Sequence, residues 1–449
     1  MIAPFLSTAM ARALTGGALL ALLASCAEKE VILPGEREDL RAFVADTPLE
    51  RAPDEENNTS RAIRLPGQTA NATWAQAIGM PANRTAHPAL RVAPQLAWSA
   101  DIGSGDAKRV RITADPVVAG GLIYTLDSGA RVSAVTPQGQ LAWSVDLIPV
   151  TDDEEQATGG GMAYDKGTLY VSSGFGRLTA LDATSGAVRW TQRLEATGSG
   201  TPLIHDGLVY LVAGDDTGWA VRTDNGRVAW QLDGAPSVAN VLGAPAPAIA
   251  GEFVVFAFGS GEVVGAFKKG GIRRWSATVA GRHVGSAASR IGDITGSPVL
   301  VGSTAYVGNH SGRTAAVDTA NGELLWTSRQ GALGPIWPAG DSIFAVTDQS
   351  QLARIDSRDG SVVWVRDLPG YVKQKPKKRG ALYAHYGPVL AGGRIVVASN
   401  DGNLRFFAPE DGSLVASVPV PGGGATTAPV VANRTLYVVS ANGQLHAFR

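Results

Sequence analysis

One unit recurs eight times along this chain, and that recurrence limits the fold more than any composition figure. Each unit opens at a fixed place, taken by Pro116, Met162, Pro202, Pro247, Pro298, Pro335, Pro388 and Pro429, with successive starts 37 to 53 residues apart. Eight residues further on comes an apolar or Tyr position: Tyr124, Tyr170, Tyr210, Val255, Tyr306, Ile343, Val396 and Tyr437. The clearest unit, residues 168–194, shows three alternating apolar runs separated by Gly-containing turns, the pattern of strand, turn, strand, turn, strand. Pro suits the first position of a strand, where no ladder donor is lost. A period of roughly 40–50 residues with four short strands per unit is the signature of propeller blades.

A second feature is locked to the first. A Gly is followed four residues later by Trp in Gly139/Trp143, Gly186/Trp190, Gly226/Trp230, Gly271/Trp275, Gly322/Trp326 and Gly360/Trp364, while Gly412 is followed by Ala416. The Gly permits a tight turn between the third and fourth strands. The Trp then falls on the fourth strand, where a large ring fills the wedge towards a neighbouring sheet. The eighth unit ends at Arg449 after three strands, and Trp98 lies on an orphan strand before the first unit. The expectation is an all-β, eight-bladed β-propeller with four antiparallel strands per blade. Its N- and C-terminal strands share the last blade, which removes an open edge. Seven blades then carry a docking Trp, counting Trp98.

The segment ahead of the ring is of another kind. Arg12 precedes an apolar run, residues 13–24, too short for the ~20 residues of a stable membrane span and typical of a secretory signal peptide. The run ends in Leu23-Ala24-Ser25-Cys26, and Cys26 is the one cysteine of the chain. Residues 27–60 are polar and lack apolar periodicity, as in a flexible tether; residues 72–90, around Trp74, read as partly ordered. The expected boundaries are 1–25 for the signal peptide, 26–93 for a tether partly ordered near its end, and 94–449 for the propeller. Removing residues 1–25 takes one of 39 basic residues and none of 40 acidic ones. The near-neutral remainder excludes electrostatic capture of nucleic acid.

Two resemblances follow from these residues. The segments Ala180-Leu-Asp-Ala-Thr-Ser-Gly-Ala-Val-Arg-Trp190 and Ala316-Val-Asp-Thr-Ala-Asn-Gly-Glu-Leu-Leu-Trp326 resemble the tryptophan-docking motif of pyrroloquinoline-quinone propellers. That superfamily holds dehydrogenases and non-enzymatic members. The enzymes it contains carry adjacent cysteines over the cofactor and a calcium held by carboxylates, whereas Cys26 is alone and outside the ring. Acids such as Asp182, Asp318 and Asp356 recur one per unit, as turn residues do. The six His show no metal-ligand spacing. This reading assigns the chain no catalytic residue, no metal and no cofactor.

The stretch ending in Cys26 resembles a bacterial lipobox, which implies cleavage before Cys26 and lipidation of its thiol. Ala27 after it implies sorting to the outer membrane. Together with eight docking-motif units, it resembles the BamB family, lipoprotein subunits of the machinery that inserts β-barrels into the outer membrane. The resemblance implies a non-enzymatic scaffold at the periplasmic face, monomeric within its complex. Its partners would be BamA, the other subunits, and the membrane through a lipid anchor. It also implies BamA contacts in two loops: Asn240, Val241, Leu242 and Gly243 before the fourth blade, and Arg290, Ile291, Asp293 and Thr295 before the fifth. Leu242 stands where well-known members have Arg, and Thr295 where they have a second Asp. Two other readings stay open, a quinone-dependent dehydrogenase-like propeller and a sugar- or peptidoglycan-binding one. The latter needs exposed aromatics, for which Trp337 is the candidate, although both Trp337 and Trp219 read better as core.

Loop lengths give an independent expectation. In four-stranded antiparallel blades, fourth-to-first and second-to-third connections share one face of the disk. The long loops, residues 148–161, 235–246, 280–296 and 369–387, are all fourth-to-first connections. Long loops on a rigid scaffold are where binding residues concentrate. Two charge runs mark the same face, acidic at residues 152–155 and basic at 373–379.

Overall fold

The computed structural model describes residues 58–78, 80–196, 200–237, 244–281 and 292–449. Among them, eight four-stranded antiparallel sheets form an eight-bladed β-propeller. Blades 1–7 span residues 117–146, 160–193, 203–233, 248–278, 299–328, 337–367 and 385–419. Blade 8 joins Val430–Ala432, Thr435–Ser440 and Gln444–Phe448 to the N-terminal strand Leu96–Asp101. The expected shared blade is therefore present: Trp98 pairs with Ala447, and Gln95 and Arg449 exchange backbone hydrogen bonds of 2.7 and 2.8 Å.

Burial follows from the packing of sheet on sheet. The second and third strands of a blade are covered on both faces, so Leu208–Val212 and Thr217–Arg222 are buried along most of their length. Outermost strands such as Val188–Arg193 alternate between exposed and half-buried positions. One register shift recurs in the outer strand pair of each blade, for example between Ala134 and Val135 and between Ala180 and Leu181. Such a bulge bends and twists the outer strand, and here it comes beside the residue that faces the docking Trp.

Each Gly-Trp pair works across two blades. The Trp of one blade lies on the turn Gly of the next: Trp98 on Gly139, Trp143 on Gly186, Trp190 on Gly226, Trp230 on Gly271, Trp275 on Gly322, Trp326 on Gly360 and Trp364 on Gly412. These glycines have φ between 70° and 86°, and a Cβ on any of them would come 2.5–2.8 Å from the ring or its neighbour Arg366. Each indole Nε1 donates to a carbonyl of the same turn, from Trp98 to Pro137 at 3.0 Å through Trp275 to Thr319 at 2.8 Å to Trp364 to Pro409 at 3.2 Å. Tyr124 Oη donates to the Ala183 carbonyl that Trp143 also uses.

Ala416 is then explained. It would dock on blade 8, whose third and fourth strands are the two chain ends and have no turn between them. There is no glycine shelf and no turn carbonyl to receive an indole. One sequence position needs correction: in blade 6 the residue matching Tyr124 is Phe344, which pairs with Trp337, and not Ile343. The blade opens one residue later than Pro335 suggests.

Residues ahead of the expected stretch 72–90 also pack on the ring. Asn58 and Thr59 lie along the outermost strand of blade 6 (Val362–Asp367), with Val365 N–H donating to Asn58 Oδ1 at 2.8 Å and Thr59 N–H to the Val363 carbonyl at 3.1 Å. Residues 69–89 then run around one mouth of the central channel and touch the blades in ring order. Asn71 bonds Val431 of blade 8, and Trp74 exchanges two backbone bonds with Val118 of blade 1. Ala75 accepts from Tyr164 of blade 2, and the Gln76 amide brackets Ile204 of blade 3. Met80 is buried in the cluster that contains Ile249 of blade 4. Arg84 donates to Leu300 of blade 5, Ala86 accepts from Trp337 of blade 6, and His87 and Pro88 accept from Gly393 and Gly392 of blade 7. Thr69 closes the loop by pairing with His87 and Ala89. The free edges of the innermost strands are what make this possible, because a buried edge needs partners for its backbone groups.

Candidate docking face

The two faces of the disk differ in kind. On the face of the short turns, residues 69–89 cover the channel mouth. On the face of the long loops the channel stays open as a blind cavity of about 380 Å³. Trp74, Gln76 and Ile78 form its floor, and residues at or just before the starts of the innermost strands form its wall, among them Asp115, Ser297 and Gly387. This position, immediately ahead of the repeat's Pro, is a signal the sequence carried and sequence reasoning passed over.

Polar groups in the wall are internally satisfied. Thr295 Oγ1 donates to the Leu333 carbonyl at 2.8 Å and lies 2.6 Å from His310 Nε2. His385 bridges Ser399 Oγ at 2.7 Å and the Pro369 carbonyl at 2.9 Å. Burial holds both imidazoles below the usual His range. Asp115 takes the Ala428 N–H at 2.8 Å. Water reaches Asp115, yet the channel walls crowd its carboxyl and push it up to about 6, against the opposing pull of that N–H. Tyr386 is pushed up to about 12, first by burial and then by the charge of Asp106.

These residues do not fit a calcium-held quinone. No group of three or more His, Cys, Asp or Glu among the described residues is arranged to hold a metal ion, and hard cations require clustered oxygen ligands. The turn acids expected to be structural are so: Asp182 Oδ1 accepts from Thr184 and Ser185 N–H, and Asp318 Oδ1 accepts from Ala320 N–H. The two tryptophans considered for a sugar are both buried. Trp337 is fully buried in the innermost strand of blade 6, and Trp219 is 3 % exposed in blade 3.

The anticipated contact residues divide. Cys26, Asn240, Val241, Leu242, Gly243, Arg290 and Ile291 lie outside the described residues. Asp293 is buried, with 4 % of its surface exposed, and its carbonyl accepts from His310 N–H. Thr295 points into the channel. Thr295 is thus part of the cavity wall, and Asp293 lies in the buried stretch just ahead of it. The acidic run is exposed and forms a short turn (Glu154–Gln156) capped reciprocally by Asp153 and Gln156, with Glu154 folded over Gly129.

The fold and its docking contacts define a tryptophan-docked, PQQ-like propeller that offers loops and a blind channel on one face. The family profile described as outer membrane protein assembly factor BamB matches residues 128–366 and 373–449. The chain therefore belongs to the BamB family. It is 24% identical over 360 residues to the outer membrane protein assembly factor BamB of Yersinia pestis, covering 79% of this chain and 88% of that one. The BamB of Bordetella pertussis is 27% identical over 361 residues, covering 78% and 86%. The crystal structure of BamB from Moraxella catarrhalis superposes with a TM-score of 0.65 at 19% identity, over 80% of this chain and all of that one. Quinohemoprotein alcohol dehydrogenase from Comamonas testosteroni, at TM-score 0.58 and 16% identity over 85% and 81% of the two chains, shares the fold alone.

Proposed function

We propose that this chain is a non-enzymatic lipoprotein scaffold of the outer-membrane β-barrel assembly machinery. An acyl group on Cys26 holds it at the periplasmic face, and its long-loop face docks the periplasmic domains of BamA. The observation that carries this reading is the asymmetry of the disk. One face is covered by the chain's own residues 69–89, and the other keeps the long loops and the open channel. The relatives named as assembly factors supply the partner class. Outermost strands offer backbone edges to which an extended partner segment adds, and the apolar loop around Leu242 supplies side-chain contact.

The test is recovery of BamA with the tagged, lipidated chain from detergent-solubilised membranes. Leu242→Glu is expected to lower recovery at least ten-fold while circular dichroism and melting stay unchanged. Undiminished recovery, or quinone-linked dehydrogenase turnover by the purified chain, overturns the reading.

A further inference from the structure

The long loop between blades 6 and 7 is not an irregular excursion. Tyr371 and Leu382 pair as a β-bridge, Val372 N–H donates to the Ala381 carbonyl and Tyr383 N–H to that of Gly370. These bonds make residues 370–383 a closed hairpin. Its tip carries Lys373, Lys375, Lys377, Lys378 and Arg379, all exposed, and none is in an ion pair among the described residues. Beside them Tyr371, Val372 and Leu382 are 40, 43 and 52% exposed, and the Arg379 guanidinium lies over the Tyr371 ring. Five unpaired cations with three exposed apolar side chains on one hairpin make a surface that both attracts anions and inserts into an apolar boundary.

A second observation points to the same corner. The N-terminal segment joins the fold on the outermost strand of blade 6, the strand from which this hairpin emerges. Asn58 lies at Val365 and Thr59 at Val363. The segment therefore runs away from the hairpin, and its N-terminal end at Asn58 is the end nearer the hairpin base. The described chain therefore enters the fold beside the base of the cationic hairpin. A polybasic patch is a common companion to a covalent lipid anchor.

We propose that the 370–383 hairpin docks onto an anionic lipid bilayer and forms a second membrane attachment beside the Cys26 anchor. This rests on the lipid-anchor part of the functional reading but not on BamA docking. Lysines suit this occupant: they are flexible point charges that follow a fluid array of headgroups, whereas shaped recognition of one phosphate favours an Arg fork. The hairpin encloses no pocket.

The mature chain, residues 26–449, carrying Cys26→Ser to remove acylation, is to be sedimented with vesicles of phosphatidylglycerol and phosphatidylethanolamine. Binding is expected at 0.1 M salt, weakening with added salt, and absent on neutral phosphatidylcholine vesicles. Neutralising the five hairpin cations to Gln is expected to lower partitioning at least a hundred-fold with melting unchanged. Neutralising Arg193, Arg222, Arg227, Lys269 and Arg274, five exposed cations of blades 2–4, is expected to leave it within two-fold. Tyr371→Ser with Leu382→Ser is expected to weaken binding even at high salt. No binding by the parent chain, equal binding to neutral vesicles, or an equal loss in the blade 2–4 variant overturns the proposal. So does a hairpin variant that binds vesicles normally but loses protein partners from membranes, which would make the hairpin a protein contact. Mass analysis of Cys26 in the native lipoprotein reads the anchor separately.

Discussion

Phe406 faces Ala416 across the outer strand pair of blade 7, where blade after blade has a small residue facing Trp. Ala134, Ala180, Ala220, Gly265, Ala316 and Ala447 are the small partners of Trp143, Trp190, Trp230, Trp275, Trp326 and Trp98. In blade 7 the bulk has moved to the inner strand because the blade beyond offers no turn to dock on. Ala416→Trp is therefore expected to destabilise, by about 1–3 kcal/mol as overpacking typically does, although it restores the repeat's consensus. Urea unfolding measures this. A stabilised variant would mean the docking turn is dispensable.

Ring closure should be the most sensitive docking site. Trp98 sits on a strand that has no covalent turn to its neighbour in the sheet, and the Pro137 carbonyl that it reaches also accepts from Arg449 Nη2 at 2.8 Å. Trp98→Ala is expected to cost about 3–5 kcal/mol, the usual range for a packed Trp. It should also speed amide exchange in residues 435–448 ahead of blades 2–5. Equal exchange across all blades would show that closure is not the weak point.

Much of this fold was legible because it repeats. A Pro at seven of eight unit starts and a Gly-Trp pair in six units, held in one register, leave few alternatives, and the orphan strand of Trp98 completed the count. The loop of residues 69–89 was not legible. Its contacts fall at Asn71, Trp74, Ala75, Gln76, Arg84, Ala86 and His87, a spacing set by the circumference of the channel, and they are made largely to backbone groups of the blades. No helix or strand period corresponds to that. Arg354 was hidden for a related reason: its position in the repeat belongs to Ala, and only the chain packed over it explains the change.

Arg354 is the clasp for that chain. It is fully buried, and its guanidinium donates to the Arg61 carbonyl at 2.5 Å, to the Pro409 carbonyl at 3.1 Å and, through Nε, to Ser342 Oγ at 2.8 Å. Arg61 in turn pairs with Asp356 at 2.7 Å. Removing one member of a buried charged network typically costs about 3–5 kcal/mol. Arg354→Ala is expected to lose that much and to expose residues 58–65 to limited proteolysis at native pH. Arg354→Lys should recover little, since one ammonium cannot reach carbonyls on both chains. Protection of residues 58–65 in the Ala variant would assign the clasp to other contacts.

Acid should open the ring at the closure. His446 bonds Ser99 Oγ of the N-terminal strand at 2.7 Å and Ser440 Oγ at 2.8 Å, so it joins strands from both chain ends. Burial lowers it to about 4. The unfolded chain takes up this proton near pH 6.5 and the folded chain only near 4. Stability from this group is thus complete above about pH 6.5 and falls through the window down to 4, by roughly 2 kcal/mol after allowing for partial solvation. His446→Gln keeps hydrogen-bonding capacity and removes the titration. Its melting temperature is expected to vary less between pH 7 and 4.5 than that of the parent. An unchanged slope would place the acid sensitivity elsewhere, His385 and His310 being the other buried imidazoles held low.

Asp115 carries the opposite sign. Its carboxyl is raised to about 6 by the crowding of the channel wall, so the folded state resists ionisation that the unfolded chain undergoes near pH 4. Stability falls as pH rises from 4 through 6 and stays lower at neutral pH. Asp115→Asn preserves an oxygen for the Ala428 N–H and removes the charge. It is expected to stabilise by about 1 kcal/mol at pH 7.5 and to be neutral at pH 3.5, measured by urea midpoints at the two values. Asp115 lines the open channel on the face proposed to dock a partner. The same variant should therefore weaken partner recovery while it strengthens the fold. Stabilisation without loss of recovery would leave Asp115 a tolerated defect of the wall and move the contact outward to the long loops.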